Sequence, residues 1–451
     1  AVVTGATFTN EVAGSVGTAN VSGGTFSTAG TVTGSVNNNG AAVAVTSGSV
    51  ASLVNSAGSA TISGGNVTSM SNSATASNAG SVGTLSQGGG SFANSGGITT
   101  ATISGGTFTT SGSVGTLENA GGSSTIQSGT VATANNTAGS LNIAGGSVGA
   151  LTSSASTTNA GGVGTANIAG GSFANSGTVS GTASIGGGTV DNTGTLAAVD
   201  LSGGTLTSTA GTIGTVTNAG GSVNINGGTA GPVANTAGTL TVASAGSTGV
   251  VTNSGTASNA GTVEGLNNLE GTFDNTGTIS GESTVARGAV TNSGTMANVT
   301  TTGGSFSRTA GSIGDISING GTVELSGGTV GAVDNAAGSL TLGLDAGAVT
   351  NSVTLILTGS ATSLNNTAGS TTVSGTVSGP TNLSGGQLTN TGDLNGGVTV
   401  TAGTFDSTGT ILGTVDASGG TVNLAGRLNG ALEAGDGEVT ITGSLSDVNS
   451  I

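Results

Sequence analysis

The chain has 451 residues, with 92 Gly, 8 Phe, 2 Pro and 2 Met, no Cys, His, Trp or Tyr, and a net charge of −16 from 19 acids against 3 Lys+Arg. This composition excludes disulfides, thiolate and imidazole chemistry, the usual zinc ligand sets and a Ser-His-Asp triad. The cations are Arg287, Arg308 and Arg427; without Lys or a basic stripe, nucleic acid is not an expected partner, and Schiff-base, P-loop and Lys–Asn isopeptide chemistry fall away.

Ala1 leads straight into patterned sequence, which fits a chain exported after removal of a leader. In chain order an aliphatic residue then recurs at Val16, Val32, Val50, Val67, Val82, Ile98, Val114, Val131, Val148, Val163, Val179, Leu196 and Ile213. The same frame continues at Val263, Ile279, Met296, Ile313, Val330, Val377, Leu394, Ile411, Leu428 and Leu445. The step is about 16.5 residues. Companion residues keep pace: Ala166, Val199 and Val216 three positions on, Ile168, Ile185 and Leu201 next, and Phe173, Val190, Leu206 and Val223 after the following glycines.

Spacings of two within each repeat mark extended chain, and the Gly load with its Thr/Val bias disfavours helix. The pattern predicts an all-β, single-domain parallel β-helix (β-solenoid) over residues 1–451, with about 27 coils of about 16–17 residues and three short strands per coil. Handedness is left open. At about 4.8 Å per coil such a rod is about 130 Å long. With 33% of residues hydrophobic, about five inward positions per coil can be filled.

Corners come in two forms. One ends the second strand in an aliphatic and turns through Ser-Gly-Gly, as at Ile62, Ile103 and Leu201; the other puts Asn in that place, as at Asn55, Asn136, Asn235 and Asn366. Gly and Asn tolerate the left-handed backbone of a tight corner, and stacked Asn amides can bond to one another from coil to coil. All eight Phe, from Phe8 to Phe405, follow the Thr or Ser of the third strand and are expected in the core.

Carboxylates are the remaining chemical resource. Asp191, Asp274, Glu324 and Asp406 follow the third-strand aliphatic and read as a solvated face. Glu433, Asp436 and Glu438 cluster near the end, and Asp416 and Glu433 would stack on adjacent coils as a weak Ca²⁺ site. The Gly-Gly-x-Gly-x-Asp nonapeptide of calcium-loaded rolls is absent, so no catalytic, cofactor-binding or metal residue is assigned and no cofactor is expected. A polysaccharide-active β-helix enzyme needs long loops beside an acid cluster, and coils of about 15–18 residues leave no room for them. An ice-binding face of the type Thr107-Phe108-Thr109, Thr205-Leu206-Thr207 and Thr239-Leu240-Thr241 is a remote alternative, its row broken by Asp191, Asn224, Asp274 and Glu324.

Recurring units such as Gly171-Ser172-Phe173-Ala174-Asn175-Ser176-Gly177-Thr178-Val179 resemble the long β-solenoid surface proteins of bacteria: autotransporter passengers, filamentous-haemagglutinin-like adhesins, and filament or surface-layer subunits. The resemblance covers essentially the whole chain and implies an extracellular or cell-surface location with a structural or adhesive role. Val2, Val3 and Phe8 read as already in phase, and Leu445, Val448 and Ile451 as still in phase. Bare terminal edges are therefore expected, and with them head-to-tail stacking of copies. Residues 1–190 hold only Glu11 and Glu118 among the acids, so lateral contact between neutral faces is a further expectation. The expected function is a non-enzymatic, secreted structural protein that self-assembles into a filament or surface layer. A monomeric adhesin rod with cell-surface or matrix attachment is the alternative, and neither involves membrane insertion.

Overall fold

Gly-rich corners separated by short runs of β-branched and apolar residues leave each strand too short to pair within its own coil, so every strand pairs with its equivalent one coil on. A computed structural model shows this arrangement; it describes residues 1–442 and the backbone of Val448–Ser450. The chain divides into two compact units, Ala1–Asn224 and Ile225–Ile451. Each is an all-β parallel β-solenoid, without helix among the described residues.

In the first unit one coil reads as follows. The strand Gly162–Ile168 bends after Val163, so Val163 faces the core on one side while Ala166 and Ile168 face it from a second. Three corner residues lead to Ser172–Asn175, whose Phe173 and Asn175 point inward from the third side. A corner of two residues then begins the next coil at Thr178. Inward residues stack on inward residues, with one register shift at the bend between Val163 and Ala166: Val163↔Val179, Ala166↔Ala183, Ile168↔Ile185, Phe173↔Val190 and Asn175↔Asn192. Five inward positions per coil follow from this geometry, the fifth of them polar.

The expected three separate strands per coil occur in the second unit, for example Thr278–Ile279, Ser283–Val285 and Ala289–Asn292. In the first unit the first two run together around the bend, as in Gly162–Ile168. The aliphatic frame is a continuous stack in each unit. From Val16 to Ile213 every frame residue pairs with the next. In the second unit Thr248 precedes Val263, and Ala346 and Ala361 complete the stack between Val330 and Val377. These three residues are too small or too polar for the aliphatic pattern to register. Leu445 and Ile451 lie outside the described residues, as does the side chain of Val448.

Phe26, Phe92, Phe108, Phe173, Phe273, Phe306 and Phe405 are buried as expected. Phe8 is only half-buried, because it stands in the first coil and stacks on Phe26 from one side, ring centroids 5.6 Å apart. Val2 and Val3 are not both in phase: strand alternation turns Val3 inward and leaves Val2 75% exposed. Close stacking also accounts for the corner glycines. At Gly204, φ is 72°, and a Cβ would stand 2.5 Å from the carbonyl oxygen of Gly188 one coil below. A side chain there would meet both a left-handed backbone and a neighbouring corner.

Candidate functional site

The inward Asn residues form two sets of ladders. At the corner after the second strand, Asn38 donates to Asn55 at 2.7 Å, Asn55 to Asn72 at 2.6 Å, and Asn72 to Gln87 at 2.8 Å. Asn119 donates likewise to Asn136 at 2.7 Å. In the second unit Asn235, Asn253 and Asn268 form one run, and Asn335, Asn351 and Asn366 another. The stacking expected of Asn55, Asn136, Asn235 and Asn366 is therefore present. Gln87 aligns with Ile103, and Ile103 with Asn119, so the Asn and aliphatic corners are equivalent positions.

A second set lies at the corner after the third strand, where sequence reasoning assigned no role. Asn159 donates to Asn175 and Asn175 to Asn192, each at 2.8 Å, and Asn192 to the hydroxyl of Ser208 at 3.4 Å. Asn259, Asn275 and Asn292 repeat the pattern at 2.7 Å. The signal was present: these Asn stand two residues after the inward third-strand residue, apolar in every case but Thr157, and recur with the coil. Most of these amides also donate to a backbone carbonyl at or beside a corner, as Asn175 does to Thr195 O at 3.2 Å and Asn55 to Thr75 O at 3.0 Å. Burying a corner leaves carbonyls turned away from water, and the Asn amide supplies their partner without a side chain of greater volume.

Runs at the third-strand corner end on an acceptor. Asn10 meets the hydroxyl of Thr28 at 3.0 Å, Asn94 that of Thr110 at 3.0 Å, and Asn390 that of Ser407 at 3.1 Å. The run through Asn292 meets Arg308 in register instead. Arg308 is fully buried; its Nε donates to Ala310 O at 3.0 Å and its Nη2 to Gly311 O, while Nη1 has no partner. Burial lowers its pKa below the ordinary arginine value. Phe306 two residues earlier is inward, so strand alternation carries the guanidinium into the core.

Outward positions are mostly Ser, Thr, Asn and Gly. Asp191, Asp274 and Glu324 are exposed and Asp406 half-buried, interrupting the Thr pairs at Thr107/Thr109, Thr205/Thr207 and Thr239/Thr241. Asp406 accepts hydrogen bonds from Gln387 and Asn423. Asp416 and Glu433 are in register as expected and border an open groove with Thr399 and Thr414. Among the described residues, Glu433, Asp436 and Glu438 do not converge with a further ligand, and no group of three or more metal-ligating side chains forms. The Arg287–Glu270 salt bridge, at 3.5 Å, is solvent-exposed.

Comparison with protein-family models, curated proteins and solved structures finds no match to this chain.

Proposed function

We propose that this chain is a non-enzymatic structural protein of the cell surface or extracellular space that assembles with copies of itself into a filament or layer. The observation that carries the reading is the parallel stacking of inward positions from coil to coil, with corners of two or three residues. Among the described residues, length goes to core, corner and repeated surface and not to the long loops on which receptor and catalytic sites are mounted. Inside, the Asn ladders hold corner carbonyls. A surface repeating every coil matches best another surface with the same repeat, and a second copy supplies one. Resemblance to bacterial β-solenoid surface proteins supports the extracellular placement.

Electron microscopy of the purified protein tests the reading. Fibres or ordered sheets are expected. Isolated rods at every concentration would overturn self-assembly and leave the monomeric adhesin rod as the better account.

A further inference from the structure

The first unit carries an uncharged outward face on its third strands, where a four-residue strand per coil makes it broader than the equally uncharged two-residue row that opens each coil. On its third strands, the outward pairs run from Thr25/Ser27 to Ser172/Ala174 through ten consecutive coils without one charged side chain. The corners flanking these strands are uncharged as well. Carboxylates interrupt the other third and second strands: Asp191 on the next coil of the same row, Glu118 and Asp200 on the second-strand row of this unit, and Asp274, Glu324, Asp406 and Glu438 on third strands of the second unit. Two shallow grooves lie on the uncharged face, bordered by Thr61, Ser77, Ala93 and Thr109.

Resting on the self-assembly reading above, we infer that this face is a lateral interface and that its occupant is the same face of a second copy. Copies with a net charge of −16 repel, so they approach most easily where neither presents a carboxylate. The outward side chains are small, so two such sheets can come close without the entropy cost of ordering long side chains. Area is sufficient: ten coils at about 4.8 Å and a four-residue strand at about 3.3 Å per residue give about 600 Å² per copy. The pair buries about 1,200 Å², above the roughly 1,000 Å² expected of a specific contact. Axial rows of the two copies share one repeat, so hydroxyls and small side chains interdigitate along the whole length; a partner of unrelated surface keeps step over a coil or two only.

The test places charge on the face. Ser77→Asp with Ala93→Asp, and separately Ser77→Lys with Ala93→Lys, are compared with wild type by sedimentation velocity. Control carboxylates go on the second-strand row, Ser86→Asp with Thr152→Asp. Each face variant alone is expected to weaken lateral association at least tenfold, a mixture of the Asp and Lys variants to restore it, and the control to associate like wild type. Recovery in the mixture shows that the variants are folded. Assembly unaffected by the face variants, or weakened equally by the control, overturns the face and leaves self-assembly standing. Wild type that stays monomeric overturns both.

Discussion

The side-chain amide of Asn175 donates up the solenoid to Asn192 at 2.8 Å, while the backbone amide of Thr193 donates down it to the carbonyl of Asn175, also at 2.8 Å. The two hydrogen-bond columns therefore run in opposite senses. At this corner the backbone amides of Ser176, Thr193 and Thr209 each donate to the coil below, and the buried amide column runs against them. The second N–H of Asn175, held by Thr195 O, decides which end of the amide faces up.

Breaking such a column in its middle leaves partners stranded on both sides. Asn175→Leu strands the Asn159 donor, the Asn192 acceptor and the Thr195 carbonyl, at about 1–3 kcal/mol for each buried group. A loss of about 2–5 kcal/mol is expected in urea unfolding, although Leu matches the apolar residues at equivalent corners. Asn253→Leu, between Asn235 and Asn268, should behave alike. A loss under about 0.5 kcal/mol for both would show that the columns contribute nothing.

Arg308 invites the opposite experiment. Arg308→Ser replaces a buried, uncompensated cation with the hydroxyl that ends the columns at Ser208 and Ser407. Stability is expected to rise by about 1–4 kcal/mol, and a fall would show that the guanidinium is adequately solvated.

The same residue sets a pH dependence. Its pKa is lowered in the folded chain, so the unfolded chain binds the proton more tightly. The penalty is complete below the folded-state pKa and is relieved as pH rises through it toward the ordinary arginine value. Wild type should therefore gain on Arg308→Ser under alkaline conditions. With no Lys, Tyr or Cys in the chain, few other groups titrate there, and thermal unfolding of both proteins against pH reads the difference directly.

At the corners, Gly204→Ala combines a left-handed φ with a Cβ placed against Gly188 O. A loss of at least about 2 kcal/mol is expected. Gly17→Ala, where nothing stands within 4 Å, should change stability by less than about 0.5 kcal/mol. Equal effects at the two sites would refute the close-stacking account.

The exposed pair offers a negative expectation. Arg287→Gln removes the Arg287–Glu270 bridge and should shift stability by less than about 0.5 kcal/mol, measured by the same unfolding.

Much of the fold was legible because a strand side chain has only two directions and the coil returns each position to the same side. Val163, Val179 and Leu196 could be placed in one stack from spacing alone, as could Asn55 and Asn136 at a corner. Arg308 was legible in principle too, two residues beyond Phe306, yet its charge reads as a surface residue until the alternation is followed through. Val2 misled for the converse reason: an apolar residue beside an inward one must face out.

By itself the sequence determined the period, the parallel stacking and the inward parity of nearly every coil, since these depend on local alternation repeated along the chain. Only the tertiary structure decided which polar groups meet. Coil length varies, so the neighbour of Asn175 or Arg308 is whatever residue the intervening corners bring above it. A hydrogen bond depends on that residue being an acceptor within reach, which no local pattern encodes.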